Sequence, residues 1–531
     1  MKQTAGTIFK SMLLIFIGVV IGTAMSDNDF TGQNFGFSLA GNNKLSKALA
    51  LVKNNYVDTL NIDSIQGATV NDLLQGLDPH SMYLPPLQAE SINERLEGGF
   101  NGIGLEYILL RDTLIISQIY AGGPAAAAGL KPGDRVINVN GKKFSGTHLT
   151  PDGVNKTFKG EKDSKILLAA LSPGGTTLKQ YPIKRGHVDL TSLDAAYMVS
   201  PEVGYIKISK FALTTDDDFR EALSKLKVLG MKKLVLDIRD NGGGYLNTAT
   251  ALADEFLKKD RLIVYTQGAH EQRREYLATD SGEFQQGKLA VLINEYSASA
   301  SEILAGALQD LDRAVIVGRR SFGKGLVQQQ FPFSDGSAIN LTVARYYTPS
   351  GRSIQKSYKA GVDNYRNELS ERMRKGELFS EQNNLKDTSF KRPSPYRTLK
   401  GRKVFSGGGI MPDVFVPADS TKNTPLIQDI TNNQLFTSFV VDRMEPTLKK
   451  YSSADIFIRQ FEVDDNLYGQ FILYCSKTLK EMDSHELLIS KANIKKLLKA
   501  NAAHFKWGDS AYYEVVNSND LALKKAVEAI N

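Results

Sequence analysis

A serine and a lysine that could act as nucleophile and base lie within residues 294–330. The stretch opens with the small residues Ser297-Ala298-Ser299-Ala300-Ser301, and residues 302–311 then show the apolar periodicity of an amphipathic helix. The Ser299 hydroxyl would therefore lie at a helix N-terminus, beside free backbone N–H groups. Lys324 follows an apolar strand and stands between two glycines. Serine with a lysine base is an alternative to the serine–histidine pair, although a serine before a helix is also a common N-cap.

The glycines before Lys324 also fit the G-x-x-x-x-G-K pattern of phosphate-binding loops, over residues 318–324. Two features contradict that pattern. Gly325 occupies the position where serine or threonine would hold magnesium, and residues 326–332 have the character of a strand where the phosphate loop needs a helix. The sequence therefore argues against a nucleotide site at this lysine.

The stretch NEYSASASEILAGALQDLDRAVIVG, with FGKGLVQ shortly after it, resembles the signature of the C-terminal processing peptidases, also called tail-specific proteases. In that family the middle serine of SASAS is the nucleophile, the lysine of the F-G-K-G turn is its general base, and a nearby glutamine positions the lysine. The resemblance implies these roles for Ser299, Lys324 and Gln328. It also implies a serine-type endopeptidase with a Ser/Lys catalytic pair.

A glycine-rich turn is predicted to complete the same site. Residues 234–239 form an apolar strand that should be buried, and the turn at 240–244 follows it with three glycines. Such a turn puts bare N–H groups at the edge of a sheet where ligands bind in open α/β folds, although it can also be a plain tight turn. In the resembling family this turn supplies one donor of the oxyanion hole. That implies Gly244, with Gly243 as the near alternative, and the backbone N–H of Ala300 as the second donor.

Residues 98–187 resemble a PDZ domain, a module that holds the C-terminus of another protein. The loop that binds a terminal carboxylate through successive backbone N–H groups is matched by Gly102, Ile103, Gly104 and Leu105. Residues 105–108 would be the edge strand to which the peptide adds, and the small-residue helix and turn at 123–134 match those of bacterial PDZ domains. The resemblance implies protein or peptide substrates with free, apolar C-termini.

The fold predicted from these parts is a multidomain α+β and α/β chain. An N-terminal helical segment over residues 40–97 precedes the PDZ domain, a mixed-sheet ClpP/crotonase-like protease core spans 188–420, and a helical accessory domain spans 421–531. Within the core, residues 362–403 are polar and basic with few apolar side chains. That composition is typical of an insertion or a flexible excursion.

Histidine and metal chemistry have little support in the sequence. The six histidines are scattered without metal-ligand spacing, and no C-x-x-C or H-E-x-x-H motif occurs. His80, in the stretch LDPHS, is a catalytic candidate, but residues 78–81 favour a capped turn. Cys475 is the single cysteine, so no disulfide can form within the chain. We therefore expect neither a metal nor another cofactor.

The N-terminus has the features of an export signal. Lys2 and Lys10 precede an apolar run over residues 12–25, which is shorter than the roughly 20 residues of a bilayer span and suits a signal-peptide core. Residues 22–24 offer a weak cleavage site, so residues 1–25 are predicted to be either a signal peptide or an uncleaved membrane anchor. We expect the rest of the chain in the periplasm, either free or anchored to the inner membrane. The net charge of +7 is mild for 531 residues and predicts no nucleic-acid partner.

Two other functions compete with a protease. The first is a PDZ-bearing binding protein or chaperone with an inactive protease body, against which the intact Ser299, Lys324 and Gln328 argue. The second is an acyl-CoA enzyme, because the alternating strands and helices resemble crotonase-like folds. That class has no use for a PDZ domain or for a buried lysine at this position. The sequence leaves the substrates, the tail preference and the oligomeric state open.

Overall fold

A computed structural model of the protein describes residues 44–146, 149–383 and 396–531. The predicted signal peptide or anchor lies outside these residues, as does the part of the predicted insertion at 384–395. The chain divides into two compact units, Met1–Thr69 and Val70–Asn531. Across the described ranges we find no helix with the length and apolar character needed to span a bilayer.

The chain begins with helices and one short strand. These elements are α1 (Lys44–Asn55), α2 (Ile62–Gln75), β1 (Met82–Leu84) and α3 (Pro86–Glu97). Helix α3 has proline in its first turn, where the missing N–H is not needed, and it ends at Gly98 in the left-handed conformation at φ 83°. Both end signals are therefore local features of the sequence.

The predicted PDZ domain follows as an antiparallel sheet with two short helices. Its elements are β2 (Gly99–Gly102), β3 (Leu105–Leu110), β4 (Thr113–Ile119), α4 (Pro124–Ala127), β5 (Arg135–Val139), β6 (Lys142–Lys143), α5 (Pro151–Phe158), β7 (Lys165–Leu171), β8 (Leu178–Lys184) and β9 (Gly186–Asp189). The strand order is β3-β4-β5-β7-β8, with β6 on β5, while β2 pairs with β9. Strand β3 is thus an edge strand, as peptide addition requires.

The segment predicted to be the protease core contains two sheets. Its elements are β10 (Leu193–Ser200), β11 (Val203–Ile208), α6 (Thr215–Val228), β12 (Lys233–Asp237), α7 (Leu246–Asp254), β13 (Leu262–Gln267), β14 (Arg274–Leu277), β15 (Lys288–Ile293), α8 (Ala300–Asp310), β16 (Val315–Gly318), β17 (Leu326–Pro332), β18 (Ala338–Tyr347), α9 (Val362–Arg374) and β19 (Val414–Phe415). The first sheet has the order β10-β11-β12-β15-β16-β19 and is parallel from β11 onward. Its central strands β12 and β15 are apolar after their first residue, Lys233 and Lys288, apart from Asp237 at the end of β12, as expected where both faces of a sheet are covered.

The second sheet carries β17 and draws in the N-terminal segment. Its order is β1-β18-β13-β14, with β17 also paired to β18. Strand β1 pairs antiparallel with β18, with Tyr83 opposite Ile339. This pairing brings the turn just before β1 next to β18, whose other neighbour, β17, follows the lysine turn.

The C-terminal stretch is helical. Its helices are α10 (Pro425–Asn432), α11 (Leu435–Phe439), α12 (Glu445–Leu448), α13 (Ala454–Gln460), α14 (Asp465–Cys475), α15 (Ser484–Trp507), α16 (Asp509–Asn517) and α17 (Leu521–Ile530). Leu523 and Ile530 of α17 pack in one cluster with Tyr205, Val235 and Leu292 of the first core sheet. The last helix therefore covers the face of that sheet opposite to the one on which α6, α7 and α8 pack.

The segment predicted to be an insertion or flexible excursion begins with an ordered helix. Helix α9 buries Tyr365 and Arg372. Arg372 and Arg320 both bind Glu377, at 3.0 Å and 2.6 Å. The segment has few apolar residues because paired charges occupy its buried positions, and this is why composition alone indicated flexibility.

Candidate active site

Ser299 lies at the turn between β15 and α8, in a backbone conformation that L-residues rarely adopt (φ 55°, ψ −114°). Such a residue persists only where its surroundings hold it. The neighbouring hydroxyls help: Ser297 Oγ donates to the carbonyl of Ile238, and Ser301 Oγ donates to that of Asn241, both at 2.8 Å. Those two serines are buried, whereas Ser299 is half-buried and lines a cavity. Of the three serines, Ser299 is the one placed to meet a substrate.

The glycine turn after β12 packs against the serine turn. A side chain at Gly243 would meet Ser299 Cβ at 2.8 Å and Ala300 N at 3.0 Å, so the two backbones approach only because position 243 is glycine. The N–H of Gly243 donates to Asn241 Oδ1 at 2.8 Å. The N–H groups of Gly244 and Ala300 donate to no other residue in the described ranges, and both residues line the cavity. This arrangement favours Gly244 over Gly243 as an oxyanion donor.

The lysine turn packs against two other segments of the core. A side chain at Gly323 would meet Gly409 N at 3.1 Å, and one at Gly325 would meet Gln355 N at 3.0 Å. The two glycines therefore let this turn approach neighbouring backbone, which places the half-buried Lys324 at the cavity.

The charge state of Lys324 is set by burial and by two carboxylates. Burial lowers the pKa of Lys324 to about 8, while the negative charges of Glu302 and Asp78 oppose that change. A useful fraction of the amine is therefore neutral near pH 7.5, and only the neutral amine can accept a proton from serine.

The carboxylate of Glu302 joins the serine turn to the lysine turn. It is fully buried in the first turn of α8. Its Oε2 accepts from the N–H of Ser299 at 3.0 Å and from the N–H of Lys324 at 2.8 Å. Its Oε1 accepts from the N–H of Gly323 at 2.7 Å and from the hydroxyl of Ser321. All four partners donate, so the ionised carboxylate satisfies them and fixes the two turns relative to each other.

Tyr346 binds the same two residues through their carbonyls. Its hydroxyl, at the end of β18, donates to the carbonyl of Lys324 at 2.6 Å and lies 3.1 Å from the carbonyl of Ser299. The Tyr346 side chain is buried, with the residue 1% exposed. Ser299 and Lys324 are thus each held at both the N–H and the C=O group.

One cavity of about 330 Å³ brings the predicted protease residues together. Its polar lining includes Ser299, Lys324, Gln328, Gly244 and Ala300. Its apolar walls include Leu84, Ile92, Leu96, Leu246, Ile303, Leu326 and Val327. A hydroxyl, an amine of lowered pKa and two free N–H groups in one space are what acyl transfer needs. Within the described ranges, no group of three or more His, Cys, Asp or Glu side chains is placed to hold a metal ion.

The predicted carboxylate loop lies in the PDZ domain and does not line this cavity. The buried residues that join β2 to β3 are Gly102, Ile103, Gly104 and Leu105. Helix α3 contacts both the cavity and the PDZ domain. Its Ile92 and Leu96 line the cavity, and its Glu94 forms an ion pair with Lys159 at the end of α5.

His80 does not belong to the described lining of the cavity. Its Nε2 lies 2.7 Å from the Tyr365 hydroxyl. Burial and the positive charge of Lys324 lower the pKa of His80 to about 4, so the ring is neutral near pH 7. The N–H groups of His80 and Ser81 both donate to Asp78 Oδ1, at 2.8 Å and 2.9 Å. This confirms the capped turn that the sequence favours.

Three residues that hold the site were not predicted as site residues: Glu302, Tyr346 and Asp78. A signal for Glu302 was present, because a glutamate three positions after a serine at a helix start is the capping-box pattern. The sequence indicated Asp78 only as a residue that forms a turn. Tyr346 gave no signal, since a tyrosine in a strand is ordinarily a packing residue.

The cleavage rate is expected to rise with pH through about pH 8. A lysine base acts in its neutral form, so kcat/KM should increase as Lys324, with a pKa of about 8, loses its proton. Burial also raises the pKa of Glu302 to about 7, so protonation of Glu302 should deepen the loss of activity on the acid side. The measurement is kcat/KM from pH 6 to 10 on a substrate without groups that titrate in this range. A flat profile between pH 6 and 9 would contradict a lysine base.

Three family models match separate parts of the chain. The model described as peptidase family S41 matches residues 202–364, and a PDZ domain model matches residues 115–168. Residues 426–508 match a family of unknown function, DUF8443. The S41 match includes Ser299, Lys324, Gln328, Gly244 and Ala300.

Several known proteins are similar to this chain. A "Probable CtpA-like serine protease" of Staphylococcus aureus (strain N315) is 32% identical over 350 residues, which cover 66% of this chain and 68% of the relative. The "Carboxy-terminal processing protease CtpB" of Bacillus subtilis (strain 168) is 34% identical over 316 residues, 59% of this chain and 65% of that protein. The solved structure of a photosystem II D1 C-terminal processing protease is 26% identical, covers 72% of this chain and 88% of its own, and has a TM-score of 0.34.

These findings define a serine-type endopeptidase that carries a PDZ domain. The chain belongs to peptidase family S41, among the C-terminal processing peptidases. The predicted fold class is confirmed: a PDZ domain, a mixed-sheet protease core and a C-terminal helical region. The comparisons support a working protease and not the binding protein with an inactive body.

Proposed function

We propose that the protein cleaves exported proteins near their C-termini, with the PDZ domain holding the free tail while Ser299 and Lys324 cut the chain upstream. The observation that carries the proposal is the shared cavity, in which the hydroxyl, the amine and the free N–H groups of Gly244 and Ala300 all meet. Membership of the C-terminal processing peptidases supports the position of the cut.

The chemistry is acyl transfer through the serine. Neutral Lys324 takes the proton from Ser299 as Oγ attacks the carbonyl carbon, and the electron pair of the C=O bond moves onto its oxygen. The N–H groups of Gly244 and Ala300 stabilise that oxyanion, and losing one such donor typically costs about 10²–10³-fold in rate. The intermediate then expels the amine, which takes the proton from Lys324. A water molecule, deprotonated by the same lysine, hydrolyses the acyl-serine.

The walls of the cavity favour apolar residues at the cut. Leu84, Ile92, Leu96, Ile303 and Leu326 surround the space beside the nucleophile. Burying an apolar side chain there gains about 25 cal/mol per Å² removed from water, whereas a charged side chain would find no counter-charge on these walls. We therefore expect cleavage after apolar residues.

Cleavage is expected to depend on a free terminal carboxylate. An unfolded test protein with an apolar tail should be cut, and the same protein with its C-terminus amidated should be cut at least about tenfold more slowly, because the loop at Gly104 then loses a charge-assisted partner. Gel analysis gives the rate, and mass spectrometry of the fragments gives the position of the cut. Equal cleavage of both proteins would contradict tail recognition.

Two glycine-to-alanine variants distinguish a loss of tail binding from a general effect of backbone strain. Gly104 has φ 78°, and a Cβ there would meet Val188 at 3.1 Å, so Gly104→Ala should weaken both tail binding and cleavage. Gly141, in the turn between β5 and β6, has φ 77° with nothing near its Cβ position, so Gly141→Ala carries similar backbone strain away from the loop. Tail-peptide binding to both variants, followed by fluorescence polarisation, should fall only for the first.

Export is proposed from the sequence of the N-terminal segment. The apolar run over residues 12–25 after Lys2 and Lys10 supports either removal as a signal peptide or retention as an inner-membrane anchor. Fractionation of cells that express the full chain distinguishes the two fates by the size and location of the product. Recovery of the protein only from the cytoplasm would contradict export.

A further inference from the structure

A chain of hydrogen bonds runs from the capped turn before β1 to Gln328 at the cavity. Gln328 Nε2 donates to Thr342 Oγ1 at 3.2 Å, and Thr342 Oγ1 donates to Asp78 Oδ1 at 3.1 Å. Gln328 and Thr342 are direct cross-strand partners on β17 and β18. The contact between their side chains is therefore built into the register of the sheet.

The direction of each proton in this chain is determined by Asp78. The Asp78 residue is 7% exposed, and hydrogen bonds from Ser81, His80 and Thr342 help to lower the pKa of its carboxyl, which keeps it ionised. An ionised carboxylate only accepts, so the single hydroxyl proton of Thr342 is committed to Asp78. Thr342 Oγ1 can then only accept from Gln328, which requires the NH₂ end of the glutamine amide.

Because Nε2 of Gln328 donates to Thr342, the oxygen Oε1 of the same amide remains for a partner in the cavity. The two ends of a primary amide differ, since the oxygen accepts and the nitrogen donates. With Nε2 bound to Thr342, Oε1 is the end available to the Lys324 amine, which also lines the cavity. A flipped amide would present N–H groups to an amine that must donate its own hydrogens while its lone pair faces the serine.

We propose that Thr342 and Asp78 are positioning residues that orient Gln328 so that its oxygen accepts a hydrogen bond from Lys324. This inference rests on the proposed function, because it assigns a task within the same site. Neither residue is among the described residues that line the cavity, so each orients the lysine through Gln328, and the Asp78 charge also acts on Lys324 directly.

Replacing Thr342 by valine tests the first link. Valine keeps the shape of threonine, and the Thr342 N–H can still donate to Ser81 Oγ, at 3.1 Å in the native protein. Without the hydroxyl the amide of Gln328 is free to flip, so kcat for the tailed substrate should fall about tenfold while KM stays unchanged. Thr342→Ser restores the hydroxyl and should recover kcat to within about twofold.

A double-mutant cycle shows whether Thr342 acts through Gln328. In a Gln328→Ala background, Thr342→Val should cause no further loss, because the group that it orients is gone. A valine variant that lowers kcat equally in both backgrounds, or that serine does not rescue, would mean a structural role and would overturn the inference.

Replacing Asp78 provides a second test, which has a different effect on the pH profile of kcat/KM. The charged groups that act on Lys324 are Glu302 and Asp78, both of which raise its pKa, and the nearby His80 is neutral near pH 7. Asp78→Asn removes one negative charge, so the midpoint of the kcat/KM profile should move to lower pH, whereas Thr342→Val should leave the midpoint in place. A folded Asp78→Asn variant with the kcat of the wild type would remove Asp78 from the orienting role, and an unmoved midpoint would contradict its direct effect on Lys324.

The outcomes also separate this inference from the proposed function. If the wild-type protein cleaves the tailed substrate and Thr342→Val is as active as wild type, the orienting role is wrong while the protease stands. If the wild-type protein cleaves no tailed substrate, the proposed function itself fails.

Discussion

Replacing Ser299 by alanine is expected to lower the single-turnover rate of cleavage of a tailed substrate by about 10⁴-fold or more, and replacing Lys324 by alanine should do the same. The oxygen of the Ser299 hydroxyl forms the bond to the carbonyl carbon of the substrate, and the Lys324 amine must remove the proton of that hydroxyl. Loss of either group therefore stops the reaction. The double variant should therefore be no worse than either single variant. Binding of a tail peptide should survive in all three, because the carboxylate loop lies in the PDZ domain, outside the lining of the cavity.

Two controls make this result specific. Ser301→Ala removes a buried hydroxyl from the same turn and costs one hydrogen bond to Asn241, worth about 1 kcal/mol of stability, so most of the activity should remain. Lys324→Arg keeps the positive charge but cannot be neutral near pH 7, so it should be as inactive as Lys324→Ala. An active arginine variant would show that the site needs a cation at this position and not a base.

The parts of the site that could be predicted are those where the structure restricts a position to one type of residue. Glycine at 243 is needed because the serine turn packs within 3.0 Å of where a side chain would be, and Gly323 and Gly325 are needed because other backbone lies equally close. Such positions accept only glycine, so they leave a pattern in the sequence itself. The small residues around Ser299 have the same origin, since two of the serines bind buried carbonyls.

The parts that could not be predicted depend on contacts between distant segments. Asp78 precedes the protease core in sequence, and only the pairing of β1 with β18 brings it to Thr342. Residues 362–403 were predicted to be an insertion or a flexible excursion because they contain few apolar residues, yet helix α9 in this segment is ordered. Arg320 and Arg372 can be buried there because Glu377 pairs with both of them and Glu368 pairs with Arg320, and pairing of this kind leaves no periodicity to detect.

The glutamine variant of Glu302 is expected to lose about 10²-fold or more in kcat although Glu302 need not touch the substrate. An amide has one accepting oxygen, so its NH₂ end must face two of the four donors that the native carboxylate satisfies. Each buried donor left without an acceptor costs about 1–3 kcal/mol, and the turns relieve that cost by moving apart. A shift of about 1 Å between nucleophile and base is enough to cost about 10²-fold.

A buried glutamate elsewhere in the core provides the matched control for this variant. Glu255 is also fully buried, accepts from the N–H of Glu283 at 2.8 Å and pairs with Arg220 at 2.6 Å, but it does not line the cavity in its described part. Glu255→Gln should lower the melting temperature and leave kcat close to wild type. Glu302→Gln should also move the midpoint of the kcat/KM profile below about pH 8, because a negative charge that raises the pKa of Lys324 is lost. Equal effects of the two variants on kcat would mean that Glu302 contributes general stability only, since a clamp between the two turns predicts a loss of rate at Glu302 alone.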